Sequence, residues 1–285
     1  MEKLNLGKRN VVPNGARQIL IMTKYTFLDY FRSRRFFVLL IIALAIGALL
    51  TGIVGYFRPA SFITSVLAFY SSWWGTSVTF IVILSAVFFG GDAISGEFQN
   101  KTGYFLVGNP IRRSSIYIGK YLAAFIAAVI ILAVFTVITL GNGFYYFGSS
   151  SIPYQFVESF ILAILYTASA LGLTFFFSSL FKSSTMSILT TIILLLFVFS
   201  LVSVLIESLA NIQPTFILTY GAQVITNVLS NPYPPAVTTS SAGPGSHFIL
   251  TVYNVGLSEG IAIMLVYFAV ASVAGLLIFE RKEFI

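Results

Sequence analysis

Six long apolar stretches, each about as long as a membrane-crossing helix, constrain what this 285-residue chain can fold into. A helix needs about 20 mainly apolar residues to cross the hydrocarbon core of a bilayer. The stretches cover residues 36–57, 70–90, 117–138, 160–181, 186–206 and 261–279. They lack the strict alternation of a lipid-facing barrel strand, so helices are predicted. The sequence therefore predicts an all-α polytopic membrane protein, with six transmembrane helices in a single transmembrane domain over residues 1–285.

The charge content agrees with a membrane protein. Charged residues make up 9% of the chain, against about 25% in soluble proteins. A net charge of +7 would suggest nucleic-acid binding in a soluble protein. Here the basic residues cluster at the edges of the apolar stretches, where orientation in a bilayer explains them. No nucleic-acid partner is therefore predicted.

The distribution of lysine and arginine predicts the orientation. In a six-span arrangement one side of the membrane carries only Arg58. The basic residues that flank the apolar stretches on the other side are Arg32, Arg34, Arg35, Lys101, Arg112, Arg113, Lys120, Lys182, Arg281 and Lys282. Because positive residues are retained in cytoplasmic loops, both termini are predicted to be cytoplasmic.

Two further segments have their own patterns. Residues 16–31 are predicted to form an interfacial helix at the inner surface, with Ile19, Leu20 and Phe27 on an apolar face and Gln18 and Asp29 opposite. The external segment 207–260 contains no lysine or arginine. Its residues 215–230 have helical apolar spacing, whereas 231–247 are rich in Pro, Ser, Thr and Gly and predict irregular loop.

Several kinds of chemistry are not expected. The chain has no cysteine, and His247 is its single histidine, so no metal site is predicted. Residues 96–102 have a passing likeness to a phosphate-binding loop, but Asn100 stands where that motif needs glycine before Lys-Thr. No catalytic residue and no bound cofactor are therefore expected. The spans are interpreted as free of ionisable residues, with Glu207 accessible to water, unlike the spans of ion-coupled transporters.

The loop at 91–116 between the second and third spans concentrates the scarce charges of the chain. Pro110 suits the first turn of a new helix, so a short cytoplasmic helix is predicted before it. Arg112, Arg113 and Lys120 are candidates for contact with anionic lipid headgroups or for anchoring the loop. That interpretation does not explain Glu97 or the apolar patch at 104–107.

This loop resembles that of the permease subunit of type-2 ABC exporters. After its second span that family carries a Glu followed by a Thr, paired leucines, a Pro-(Ile/Val)-Ser-Arg turn and a Gly-Lys that opens the third span. The matching positions in this chain are Glu97, Thr102, Phe105, Leu106, Pro110, Ile111, Arg113, Gly119 and Lys120. The chain departs from the pattern at Gln99, Lys101 and Arg112, where Glu, Gly and Ser are usual. With the six-span arrangement, the resemblance covers nearly the whole chain.

The resemblance implies a mechanism and partners. Two permease subunits, identical or related, would form the translocation path, and two separate ABC ATPase subunits would bind ATP and Mg beneath them. A coupling helix around Glu97 would contact the ATPase, with Glu97, Phe98, Thr102, Phe105 and Leu106 as coupling residues and Lys182 near a second contact. The same resemblance implies the plasma membrane of a prokaryotic cell.

Two alternatives stay open from the sequence. A membrane scaffold or channel that uses no ATP would account for uncharged spans but not for the loop motif. An ion-coupled transporter is disfavoured by the same uncharged spans. Substrate-binding residues are unknown, although an aromatic-rich, uncharged interior fits an amphipathic or apolar substrate.

Overall fold

In the part of the chain that this structure, a computed structural model, describes, six helices are long and apolar enough to cross a membrane, which confirms the predicted number. Span 1 is Arg34–Phe57, span 2 is Val66–Tyr70, Ser71–Gly75 and Thr76–Gly90, and span 3 is Arg113–Phe147. Span 4 is Tyr154–Leu180, span 5 runs from Ser184 to Ala210, and span 6 is Leu257–Arg281. The structure describes residues 14–59, 62, 64–100, 111–148, 152–241 and 249–282.

Spans 2, 3 and 4 form the core of the bundle. Of their most apolar windows, 72%, 50% and 61% of residues are buried, against 22% or less in spans 1, 5 and 6. Span 3 has a face of small residues, including Ala123, Ala124 and Ala127, that are fully buried. Small side chains let neighbouring helices approach closely, so this face permits close packing of other helices against span 3.

The N-terminal helix, Gly15–Arg32, packs along span 3. It ends because Ser33 adopts an extended conformation, and the Ser33 hydroxyl then accepts a hydrogen bond from Phe36 N (3.3 Å) as the N-cap of span 1. A Cβ at Gly119 would lie 2.6 Å from the Met22 Cβ, so glycine permits this close approach. The prediction that Gln18 lies on the solvent face is wrong, because Gln18 is buried against span 3.

The chain beyond span 5 departs from the predicted pattern. Helical structure over 215–230 is limited to two short helices, Leu218–Gly221 and Val224–Asn227. Strands β1 (Val237–Ser241) and β2 (Ile249–Tyr253) then pair antiparallel, with Val237 opposite Tyr253. The prediction of irregular loop over 231–247 is therefore wrong for β1, and the two strands are an exception to the predicted all-α fold. Each strand contains β-branched residues, which favour extended structure.

The bundle has two chemically different ends. The strand end carries β1, β2 and the two short helices. The Glu97 end carries the N-terminal helix, the loop after span 2, the connection between spans 4 and 5, and the end of span 6, as cross-contacts between these segments show. His247 lies outside the residues that the structure describes.

Candidate functional site

A five-residue helix, Ser95–Gln99, follows span 2 after the turn at 91–94 and is called the loop helix below. Its first backbone N–H groups have no partners within the helix, as at every helix start. The hydroxyl of Ser178 accepts hydrogen bonds from both Ile94 N and Ser95 N, each 3.0 Å. Ser178 belongs to span 4, so the start of the loop helix is capped by a different span and is attached to it.

A buried ion pair attaches the loop helix to span 3. Lys120 donates from Nζ to the Glu97 carboxylate and to Ala93 O (2.8 Å). The two side chains retain 9% and 18% of their exposure, respectively. A charge in such surroundings is costly without its partner. Glu97 therefore holds the loop helix against the bundle, and the prediction that Lys120 contacts lipid headgroups is replaced by its other predicted role, that of anchoring the loop.

Span 5 joins the same arrangement through Gln99. The Gln99 Oε1 accepts a hydrogen bond of 2.7 Å from Ser184 N, at the first residue of span 5. Gln99, Asn100 and Lys182 are exposed around this contact. The predicted second contact at Lys182 and the end of the loop helix thus lie on one exposed surface, which we call the Gln99 surface.

Span 6 reaches the loop helix through an aromatic contact. Phe98 packs edge-on against Phe279 of span 6, with ring centroids 6.3 Å apart. Lys282, just after span 6, lies with Nζ 4.4 Å from the centroid of the Phe98 ring. Burial, with a smaller contribution from the nearby charge of Lys182, lowers the pKa of Lys282 to about 8. The amine is still protonated at neutral pH, so the contact with Phe98 is of the cation–π type.

Arg112 and Arg113 share one prediction, contact with lipid headgroups or anchoring of the loop, but they have different surroundings. Arg113 Nη1 donates to Glu280 O and Lys282 O, both at 2.9 Å, and so satisfies carbonyl groups at the end of span 6. Arg112 has an exposed side chain, and its backbone N–H donates to Gln18 Oε1 at 3.2 Å. Arg113 thus anchors the loop to span 6, while the Arg112 guanidinium faces outward.

A groove of about 600 Å³ separates the N-terminal helix from the loop helix. A second ion pair lies on its wall, between Arg35 and Asp92 at 2.5 Å, and the Arg35 side chain keeps 46% of its exposure. Tyr30 donates from its hydroxyl to Phe89 O at 2.8 Å. Burial and then the negative charge of Asp92 raise the pKa of Tyr30, so its phenol stays neutral and donates this bond.

Some expectations about site residues are not met or not tested. Thr102, Phe105 and Leu106 lie outside the described residues. The spans are not free of buried ionisable residues, because Lys120 lies within span 3 and Glu207 in the last turn of span 5, with 7% and 8% exposure. Sequence reasoning missed Ser178, which stands in an apolar stretch without a distinguishing motif. From the sequence, Lys282 contributed only a positive charge to the prediction of orientation.

Comparison with known families agrees with this architecture. A family model described as "ABC-2 family transporter protein" matches residues 20–284, nearly the full length. No curated protein matches the sequence significantly. The match confirms the resemblance found in the loop residues, and the six apolar helices fit a membrane-embedded transport component. This multi-pass membrane protein therefore belongs to the ABC-2 family of transporter proteins, with the role of a permease.

Proposed function

We propose that this permease forms half of the translocation path of an ATP-driven exporter, together with a second permease subunit, and that two separate ABC ATPase subunits dock at its Glu97 end. The observation that carries the proposal is the attachment of the loop helix to four spans. Its contacts reach Lys120 in span 3, Ser178 in span 4, Ser184 in span 5 and Phe279 in span 6. A displacement of this helix would therefore be transmitted to four of the six spans.

The Glu97 end would face the cytoplasm of the cell in which the exporter works. Every described lysine and arginine except Arg58 lies at this end. Positive residues are retained on the cytoplasmic side of membrane proteins, here taken to be the plasma membrane of a prokaryotic cell. Both chain termini would then be cytoplasmic, on the side where ATP is available.

Coupling would proceed through the Gln99 surface. Closure of the ATPase pair on ATP would press on Gln99, Asn100 and Lys182, and the loop helix would move as a rigid body with the span ends attached to it. ATP and Mg would be bound by the ATPase subunits, so this chain would supply only the moving surface. The exposed Arg112 suits a contact with lipid headgroups beside this surface.

Glu97 takes a more specific role here than that of a residue inserted into the ATPase. Its carboxylate is bonded to Lys120, so it keeps the loop helix attached to span 3. Glu97→Arg would place a second cation beside Lys120 and detach the helix from span 3, while the contacts with Ser178, Ser184 and Phe279 would remain. ATP hydrolysis by the docked subunits would then continue, but the movement would no longer be passed through span 3.

The test uses the chain co-purified with a soluble ABC ATPase partner and reconstituted in lipid nanodiscs. Phe216 at the strand end is 59% exposed, so a fluorophore on Phe216→Cys, in a chain without native cysteine, reports span movement without a known substrate. Glu97→Arg should keep ATP hydrolysis but weaken the ATP-driven fluorescence change. Glu158→Arg, at an exposed residue of the strand end, is the matched control and should keep both.

Two results would contradict the proposal. A complex that contains no nucleotide-binding partner would favour a scaffold, a channel or an ion-coupled transporter. An undiminished ATP-driven signal in Glu97→Arg would exclude the coupling role of the loop helix.

A further inference from the structure

The side chain of Lys282 reaches the last turn of span 4 from the end of span 6. Its Nζ donates to Ser179 O at 2.8 Å, to Phe181 O at 2.9 Å and to Leu180 O at 3.1 Å. The last carbonyl groups of a helix have no N–H partners within it and carry partial negative charge. All three N–H donors of the ammonium are therefore used on the end of span 4.

The same ammonium also contacts the loop helix. It lies 4.4 Å from the centroid of the Phe98 ring, a distance at which a cation is attracted to the face of an aromatic ring. Phe98 packs against Phe279, one turn before Lys282 in the chain. One cation thus joins the loop helix, the end of span 4 and the end of span 6.

The end of span 6 is fixed on its other side by Arg113. Its guanidinium donates hydrogen bonds to the carbonyl oxygens of Glu280 and Lys282, each at 2.9 Å. The backbone at Lys282 is therefore fixed to span 3. Among the described residues, Lys182, Glu280 and Arg281 are further charged groups near Lys282, and their side chains are exposed. The backbone of Lys282 is therefore fixed by Arg113, and its ammonium points at the end of span 4 and at the loop helix.

We propose that Lys282 is a positioning residue that makes the loop helix, the end of span 4 and the end of span 6 move together. This inference rests on the proposed function, in which the loop helix receives the motion of the ATPase. Glu97 attaches the loop helix to span 3, whereas Lys282 attaches it to spans 4 and 6. Without Lys282 the loop helix would still be present, but its displacement would reach fewer spans.

The first test needs neither ATPase nor substrate. Spin labels are placed singly at Asn100→Cys, on the exposed end of the loop helix, and at Leu180→Cys, where the native side chain is 48% exposed, in the full chain in lipid nanodiscs. Lys282→Met should raise label mobility at both sites. Lys282→Arg should restore both, because a guanidinium can bond carbonyl groups and stack on a ring. Arg281→Met, which removes the adjacent exposed cation, should change neither.

Phe98→Leu separates the two contacts and guards against a general loss of folding in Lys282→Met. It removes the ring while leaving the bonds from Lys282 to span 4, so mobility should rise at Asn100→Cys and stay unchanged at Leu180→Cys. The proposal is overturned if Lys282→Met leaves the Asn100→Cys label unchanged, if Lys282→Arg fails to restore it, or if Arg281→Met loosens it equally.

The second test uses the co-purified ATPase complex and the Phe216→Cys fluorophore. Lys282→Met should weaken the ATP-driven fluorescence change while ATP hydrolysis continues, and Lys282→Arg should restore it. An undiminished signal in Lys282→Met, with a responsive wild-type complex, would overturn the positioning role alone. A wild-type chain that binds no ATPase would instead overturn the proposed function, while the label mobilities would still report the contacts of Lys282.

Discussion

The two ends of this bundle are ordered by different kinds of hydrogen bond. At the Glu97 end the key donors are the cationic groups of Lys120, Arg113 and Lys282. At the strand end the donors are neutral. Bonds of 2.6 Å run from the hydroxyls of Tyr233, Tyr253 and Tyr267 to backbone carbonyls, and Trp74, Ser159 and Gln213 donate as well.

This difference follows from the charged residues that each end of the bundle contains. In the proposed orientation the strand end crosses the membrane during insertion. Positive residues oppose that transfer, so this end is better ordered without them. Glu259 illustrates this, because its carboxylate accepts two bonds of 2.9 Å from the neutral Gln213 amide and one of 3.4 Å from Gly256 N. The Glu97 end keeps its cations and uses them to attach the loop helix. Charged contacts should therefore dominate stability at one end and neutral ones at the other.

The largest expected effect comes from Lys120→Met at the Glu97 end. The variant removes the bonds to Glu97 and Ala93 and leaves the Glu97 carboxylate, only 18% exposed, without its cation. Losing one partner of a buried ion pair costs roughly 3–5 kcal/mol. We expect the lower part of that range, because Glu97 retains some contact with water. The free energy of unfolding, measured by SDS titration in mixed micelles, checks this.

Lys24→Met is the matched control for that measurement. Lys24 is an exposed cation of the N-terminal helix, so its removal should change the unfolding free energy by less than about 0.5 kcal/mol. Equal effects of the two substitutions would mean that the Lys120–Glu97 pair contributes nothing specific. The double variant Lys120→Met/Glu97→Gln should recover part of the loss, because it removes both charges of the pair.

A smaller effect is expected at the strand end from Ser159→Ala. The buried Ser159 hydroxyl accepts from Trp74 Nε1 (2.9 Å) and donates to Ile225 O (2.5 Å), which links spans 2 and 4 to the segment between spans 5 and 6. Each buried group left without a partner costs about 1–3 kcal/mol. The unfolding free energy should therefore fall by about 2 kcal/mol, and this loss should be the same at low and high salt.

Ser208→Ala is the control for the strand-end measurement. Its hydroxyl bonds only within its own helix, to Val204 O at 2.6 Å, at an exposed position. Its loss should be barely measurable. A salt-dependent loss in Ser159→Ala would contradict the view that this end is ordered by neutral bonds.

The sequence predicted the features that depend on local composition and missed those that depend on contacts between distant segments. Six spans could be counted because an apolar stretch of about 20 residues is recognisable from composition and length alone. Both lipid contact and loop anchoring stayed open for Lys120, because a lysine near the start of a span gives the same signal whether it faces headgroups or a carboxylate. Its partner, Glu97, is 23 residues earlier in the chain. The distance between them depends on how the chain turns after span 2.

The strands and Ser178 were missed for related reasons. Residues 231–247 contain enough Pro, Gly and Ser to indicate loop, and the pairing of β1 with β2 adds a partner that local propensity does not show. Ser178 follows three phenylalanines, and a single serine in an apolar stretch carries no information about which backbone groups it will cap. Prediction of the site therefore reached the loop helix and Lys120 as a candidate anchor, but not Ser178 or the contacts of Lys282.

The smallest effect is expected from Arg35→Gln, which removes the second ion pair of the Glu97 end. The Arg35 side chain is 46% exposed and Asp92 17%, so water screens their attraction despite the 2.5 Å separation. Exposed pairs contribute about 0–1 kcal/mol, and the screening length falls from about 30 Å at 0.01 M salt to about 3 Å at 1 M. The loss of unfolding free energy in Arg35→Gln should therefore shrink at high salt, whereas the loss in Lys120→Met should persist. Arg34→Gln, at the adjacent exposed cation, is the control. A salt-independent loss in Arg35→Gln would mean that the Arg35–Asp92 pair is as shielded from water as the Lys120–Glu97 pair.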